Sequence, residues 1–434
     1  MVFSRRERFP RAFGMAVAAL AAGLVASAFG AELPPQVIPD NFSVQLKPAC
    51  DKASDLDAVR DAGFKFVRHG FIWASVEKTK GQYDFSAYDR LVKDCRDRGI
   101  GIIGCIAFAN PLYGNNTVLN DEGRQAYANF AAALAEHFKG ENILWEIWNE
   151  PNVRTFWGKH GTHNSQQYAS EYLALVKATV PAMKKADPKC FVMGGAVSGV
   201  WSASYAWTGF CFQMGMLKTG IDAWSVHPYS THNPEDYVDA YATIRDLMTK
   251  NGGPADFPMI NSERGYPIKE AEGFTGGDDK MVYEYQAWQF VRQYLVDQML
   301  GIKLTSWYEW AGTEGFALME HGQPTQALKA GKVMVAELAG YHFDKRIDLP
   351  LKRDFVLQFT SADGGTKLVA WAAPPKGETP DETKPHAVEI PVAASGELPV
   401  VQIYGDKGTV QAGGSSIPLK LTGAPQYITL KSAH

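Results

Sequence analysis

Short, continuously apolar runs alternate with amphipathic stretches along the first 340 or so residues. Ile102, Ile103, Cys105 and Ile106 typify the first kind, as expected for a strand buried on both faces. The stretch 85–98 typifies the second. Leu91, Val92 and Cys95 recur at three- and four-residue spacing, with Asp89, Arg90, Asp94 and Arg96 between them. This pattern predicts strands at about 42–46, 64–68, 101–107, 143–149, 191–195, 222–227, 257–262 and 302–309. It predicts helices at about 52–62, 85–98, 121–138, 165–186, 203–218, 235–250, 280–300 and 324–340. Eight such alternations predict an α/β fold, a (β/α)8 TIM barrel. An open doubly wound sheet would instead carry a Gly-rich phosphate turn after its first strand, and none is present. Gly194-Gly195 is too short for one and reads as a plain turn.

From about residue 350 short alternating runs separated by Gly, Pro and Asp predict a small antiparallel β-sandwich. The expected domains are therefore a barrel over 31–349 and a sandwich over 350–434. The sandwich is expected to brace the barrel rather than carry a binding site of its own. Residues 1–30 read differently. Arg5, Arg6, Arg8 and Arg11 precede an uncharged, Ala-rich stretch that ends in small residues at Ala26, Ser27 and Ala28. That is the pattern of a secretory signal peptide, with a retained N-terminal membrane anchor as the alternative. Either predicts an exported protein, periplasmic or secreted. An uncleaved segment would hold it at the inner membrane.

Composition narrows the picture further. The 434 residues are 46% hydrophobic and 21% charged, which excludes a disordered chain. A formal net charge of −4 argues against a nucleic-acid partner. None of the five cysteines forms a C-x-x-C pair, so zinc or thioredoxin-like chemistry is not expected.

In a barrel of this kind the chemistry sits at the C-terminal ends of the strands. There the fourth strand ends in Trp145-Glu146-Ile147-Trp148-Asn149-Glu150-Pro151-Asn152, and the seventh in Asn261-Ser262-Glu263-Arg264-Gly265-Tyr266. The second ends in Arg68-His69-Gly70, the sixth in His227-Pro228-Tyr229 and the eighth in Trp307-Tyr308-Glu309-Trp310. Two carboxylates across a barrel mouth suit glycosidic bond cleavage, where one acid protonates the leaving oxygen and one carboxylate attacks the anomeric carbon. Arg68 and Tyr229 are the available partners for Glu263, and Trp148 and His227 for Glu150.

These residues resemble the retaining glycoside hydrolases of clan A. The Trp148-Asn149-Glu150-Pro151-Asn152 run, with a barrel followed by a sandwich, is most similar to family 39 and its neighbours. The resemblance extends to the periplasmic endoglycosidases of the Psl biofilm exopolysaccharide system, over about residues 35–430. It implies a hydrolase working by double displacement on a polysaccharide, with no cofactor and no metal, and a place near exopolysaccharide biosynthesis machinery. It implies Glu150 as acid/base, Glu263 as nucleophile and Asn149 as the partner of the sugar 2-hydroxyl. It further implies Arg68 and Tyr229 as the residues holding the nucleophile and His227 as the one near the acid/base. Trp310 would floor the reacting sugar, or Trp307 if the register of the eighth strand differs. Trp73, Phe156, Trp157, Trp201 and Trp207 are further candidate sugar platforms, and Tyr266 and Phe316 also follow strand ends.

Glu146 and Glu309 are expected to be buried, paired charges. His160 and His163 form H-x-x-H in a loop and are expected to be a polar pair rather than metal ligands. Residues 273–279 read as a loop over the cleft. The expected function is a retaining endo-glycosidase acting on an exopolysaccharide. An exo-β-glycosidase of xylosidase type and a non-catalytic polysaccharide-binding or assembly protein are the alternatives.

Overall fold

The computed structural model describes residues 31–114, 117–229, 231–269, 279–378 and 383–431. The expected targeting segment 1–30 and, except for Asp279, the expected loop 273–279 lie outside the described residues. Eight parallel strands close into a barrel: β1 (Phe42–Gln45), β2 (Phe66–Ile72), β3 (Gly101–Ala107), β4 (Ile143–Ile147), β5 (Phe191–Ser198), β6 (Ala223–His227), β7 (Met259–Arg264) and β8 (Thr305–Trp307). Closure is direct, with Ser43 of β1 opposite both Phe66 of β2 and Ser306 of β8. The predicted TIM barrel is therefore the observed fold.

The barrel interior is stratified. At the N-terminal end Phe66, Ile103, Leu144, Met193, Ala223, Ile260 and Leu304 form an apolar layer, and Ala31 and Leu33 pack against it from below. Two residues further along β2, β4, β6 and β7 the interior turns polar. Arg68, Glu146, Ser225 and Ser262 are all buried there, because side chains two apart on a strand share a face. An apolar floor thus carries a polar storey that leads to the mouth. In the helical layer outside, Asn120 caps helix Asp121–His137 through its Oδ1 (2.7 Å from Gly123 N), and Ser165 caps helix Gln166–Ala186 (3.2 Å from Tyr168 N). All five cysteines are unpaired thiols, and four of them are buried. Among the described residues no helix is long and apolar enough to cross a membrane.

After β8 comes a small hairpin of β9 (Met319–Glu320) and β10 (Gln323–Pro324). A six-stranded antiparallel sheet follows, built from β11 (Tyr341–Arg346), β12 (Asp354–Ser361), β13 (Thr366–Ala372), β15 (Ser395–Val401), β16 (Lys407–Gly413) and β18 (Gln426–Lys431). It stacks on the pair β14 (His386–Ile390) and β17 (Ile417–Leu421). The sheet starts at Tyr341, within the stretch that the sequence pattern assigns to the barrel. Its two faces divide by strand alternation. Val356, Leu368, Ala370 and Ile428 face the sandwich interior. Phe355, Leu357, Phe359, Val369, Trp371 and Tyr427 join the main core of the barrel. At that seam Arg292 of helix Asp279–Met299 pairs with Glu235 at 2.8 Å, and Trp371 Nε1 donates to the same carboxylate at 2.7 Å.

Candidate active site

The chain is bent just past the end of β4 at two residues, Trp148 and Glu150. Trp148 and Glu150 adopt left-handed backbone conformations (φ 70° and 48°), which cost ~1–3 kcal/mol each in an L-residue and persist only when the surroundings enforce them. Here Trp148 N donates to Ile106 O (3.1 Å) and Glu150 N to Ala196 O (3.0 Å), tying the bend to both neighbouring strands. Asn152 completes the clamp. Its Nδ2 donates to Ser198 O (2.9 Å) and Asn164 Oδ1 (2.8 Å), and its Oδ1 accepts from Ser198 N (2.9 Å). The Asn at the end of the Trp-Asn-Glu-Pro-Asn run is thus a scaffold for the Glu.

β7 reaches the mouth by a different device. Its pairing with β8 slips between Asn261 and Arg264, and such an irregularity re-aims the side chains beside it. Glu263 is thereby turned into the mouth, where it accepts from Arg68 Nη1 (2.7 Å) and Tyr229 OH (3.2 Å). Arg68 also donates through Nε and Nη2 to Glu146 Oε2 (2.9 and 2.7 Å), through Nη2 to Asn149 Oδ1 (2.8 Å) and through Nη1 to Gln45 Oε1 (2.8 Å). It therefore bridges the buried Glu146 and the cleft Glu263. Burial opposes ionisation of Glu146, yet Arg68 outweighs it and holds that carboxyl below its usual range. Burial, reinforced by the neighbouring Glu263, pushes the Tyr229 phenol far up, so it remains a neutral donor. Because Asn149 turns its oxygen to Arg68, its NH2 group is left to donate elsewhere.

Glu150 accepts from or donates to His227 Nδ1 at 3.0 Å, and His227 is fully buried. One carboxylate oxygen each of Glu150 and Glu263 and a ring nitrogen of His227 all lie within 4.8 Å of one another. That approach fits a retaining pair, whose carboxyls stand about 5–5.5 Å apart. By distance the same trio could bracket a cation, but the Arg68 guanidinium already supplies positive charge to Glu263. The structure thus brings together Arg68, Asn149, Glu150, His227, Tyr229 and Glu263.

The expected tryptophan platforms are elsewhere. Trp307 is fully buried, 5.0 Å from Phe290 of the outer helix Asp279–Met299, with Nε1 on Phe316 O (2.9 Å). Trp310 is 1% exposed and sets its ring edge-on to Phe64. Trp73 is fully buried between Tyr113 and Phe130 and hydrogen-bonds Glu77. All three are wall residues. For Trp307 the physical reason is parity, since both faces of a barrel strand are buried and a one-residue slip exchanges inside for outside, whereas Trp73 opens the short helix Trp73–Val76 and Trp310 lies beyond the end of β8. Between the two expected tryptophans Tyr308 is the partly exposed aromatic. It packs edge-on to Phe316, with Lys47 Nζ 5.1 Å from its ring centre, and Glu263 is among the charges that raise its phenol.

Of the other platform candidates, Trp157, Trp207 and Tyr266 are buried, while Phe156 and Trp201 are each 38% exposed. With Leu112 they account for three of the four exposed large apolar side chains among the described residues. They stand in the loops after β4, β5 and β3, on the mouth side of the barrel. Beside them a cavity of about 770 Å3 is lined by Phe108, Trp148, Arg154, Phe156, Lys159 and His160, among others. His160 bonds Glu171 (2.9 Å), whereas His163 accepts from Arg154 N (3.1 Å). The two histidines serve different partners and form no ligand pair.

The family described as Cellulase (glycosyl hydrolase family 5) matches residues 34–298. A Beta-xylosidase of Geobacillus stearothermophilus is 24% identical over 238 residues, 44% of this chain and 45% of that protein. A Beta-galactosidase of an Arthrobacter species is 24% identical over 151 residues, 30% of this chain and 22% of that protein. The match thus spans less than half the length of these curated relatives. Among solved structures, a family 39 glycoside hydrolase from Bacteroides cellulosilyticus WH2 shares the fold with a TM-score of 0.72. It is 21% identical, and the match covers 92% of this chain and 83% of that one. A monomeric beta-xylosidase from Caulobacter crescentus CB15 shares it with a TM-score of 0.64 at 17% identity, covering 93% and 98%. The expected clan is supported at the coarser level, with family 5 as the matching family and family 39 present among the structural neighbours.

Proposed function

Because the chain belongs to the cellulase family, glycosyl hydrolase family 5, we propose that it is a retaining endo-glycosidase that cuts within an exopolysaccharide. The observation that carries the chemistry is the approach of Glu150 and Glu263 to within 4.8 Å, with donors on Glu263 that complement a carboxylate. In the first step a Glu263 oxygen bonds to the anomeric carbon as the bond to the leaving oxygen breaks, and Glu150 gives that oxygen its proton. In the second step Glu150 takes a proton from water, the water oxygen bonds to the anomeric carbon, and Glu263 departs as a carboxylate. Arg68 and Tyr229 orient Glu263 for both steps, and His227 orients Glu150. The Asn149 amide is the donor for the sugar 2-hydroxyl, and Tyr308 is the aromatic face beside the reacting ring.

Endo action is supported by the exposed Leu112, Phe156 and Trp201 on three successive loops, which offer a polymer more than one ring's length of apolar contact. The exopolysaccharide substrate and an exported location, periplasmic or secreted, rest on the N-terminal sequence pattern and on the sequence resemblance. An exo-acting β-xylosidase-like enzyme is the second reading, favoured by the names of one sequence relative and one structural neighbour.

Product analysis on bacterial exopolysaccharides and plant β-glycans tests the proposal, with Glu150→Gln and Glu263→Gln beside the wild type. Oligosaccharides from the wild type alone, with activity of each variant down by roughly 1,000-fold or more, are expected. Monosaccharide release at constant polymer length selects the exo reading. Binding without cutting by all three proteins overturns catalysis.

A further inference from the structure

The loop after β4 does more than carry apolar contact. Residues 151–170 include Arg154, Lys159, His160 and His163 and contain no Asp or Glu, in a chain whose net charge is −4. Arg154, Lys159 and His160 all line the 770 Å3 cavity together with Phe156 and Phe108. The two phenylalanine rings lie nearly parallel, 16° apart, with centroids 6.0 Å apart. Arg154 Nη2 donates to Lys159 O (3.1 Å), so the two cations are held on one short arc. Among the described residues neither is paired with a carboxylate. The arc is also pre-formed. Glu171 accepts from Trp157 Nε1 (2.8 Å) and Gln167 Nε2 (2.9 Å) and bonds His160 (2.9 Å), which pins the loop from behind. Trp148, the residue two before Glu150, forms the cavity's inner wall and reaches Phe156 O through Nε1 (3.2 Å).

We propose that this cavity is a binding subsite for an anionic sugar residue of the polymer, on the leaving-group side of the scissile bond. The inference rests on the glycosidase reading above. The acid that protonates the leaving oxygen stands on the leaving group's side, and the cavity adjoins the strand end that carries Glu150. An aromatic face takes the apolar side of a sugar ring, and Arg154 and Lys159 take a negative substituent on it, by bidentate and point-charge contacts respectively. A uronate carboxylate and a sulfate ester share this chemistry.

The experiment uses the full chain and compares β-glucans in native, C6-carboxylated and sulfated forms. Affinity electrophoresis gives the binding constants, at 20 and 300 mM NaCl. The wild type is expected to bind at least one anionic form about 5- to 10-fold more tightly than the neutral one at low salt and to lose most of that preference at high salt. Which anionic form is favoured separates the carboxylate from the sulfate source. Arg154→Ala/Lys159→Ala is expected to abolish the preference and leave neutral-polymer binding within two-fold. Glu263→Gln is expected to keep the preference while cutting nothing. Because binding is read without turnover, a preference that depends on Arg154 and Lys159 supports the subsite even if no polymer is hydrolysed. Equal binding of neutral and anionic forms by the wild type overturns it, as does a preference that survives the double variant. Neither result touches hydrolysis by Glu150 and Glu263.

Discussion

Arg68 donates at once to a buried carboxylate and to the proposed nucleophile, so its loss and the loss of Tyr229 should read out differently. Arg68→Met leaves Glu146 buried without its counter-charge. It should destabilise the fold by about 3–5 kcal/mol, seen as a lower urea midpoint, and remove activity. Tyr229→Phe removes one donor to a carboxylate at the cleft edge. It should lower kcat/KM by roughly 10-fold, the scale of one hydrogen bond to a charged group, with an unchanged urea midpoint. A Tyr229→Phe protein as unstable as Arg68→Met would contradict this division. Residue identity was readable where chemistry and strand end coincide, as for Arg68, Asn149, Glu150, His227, Tyr229 and Glu263. Side-chain direction was not. Trp307 looks like a platform by type, but a strand covered on both faces gives no polar alternation to show which way a ring points. Tyr308 is passed over for the same reason.

At the scale of elements, helix Asp279–Met299 fastens β7 and β8 through one acid. Asp297 Oδ2 accepts from Asn261 Nδ2 (2.8 Å) and Thr305 Oγ1 (2.9 Å), and Asp297 is 1% exposed. Burial pushes its carboxyl up to about 7, against an ordinary value of 3.8. The folded state thus holds a proton that the unfolded chain releases. This contribution to stability is complete below pH 3.8, declines as the pH rises, and is gone above about 7. Asp297→Asn keeps an oxygen for Asn261 and Thr305 and cannot titrate. Its melting temperature should therefore fall less than that of the wild type between pH 4 and pH 8, and parallel curves would refute the assignment. Elements with uniform burial were legible to within a residue or two, β3 and β4 among them. β2 was placed too early because its polar interior positions, Arg68 and His69, interrupt the apolar run. β8 was drawn too long because its aromatic run continues past the last paired residue, Trp307. In the sandwich, β16 is largely exposed, and of its residues Val410 and Ala412 turn toward the apolar interior.

The whole molecule behaves as a barrel with one wall completed by the sandwich sheet. Phe355, Leu357, Trp371 and Tyr427 belong to the barrel's own core, so the sheet acts as a brace. A chain ending at residue 340 should accumulate as insoluble protein, and a soluble, fully active fragment would defeat that expectation. Arg292→Met tests the seam within the intact chain. It strands the fully buried Glu235 and should cost about 3–5 kcal/mol, measured by urea denaturation. The other end of the molecule has a consequence for orientation. Ala31 and Leu33 cork the barrel beneath the apolar layer, at the pole opposite Glu150 and Glu263. Anything that holds the protein by the chain preceding residue 31, whether a lipid bilayer or a derivatised bead, grips the sealed pole. The mouth that holds Glu150 and Glu263 then faces outward, clear of the point of attachment.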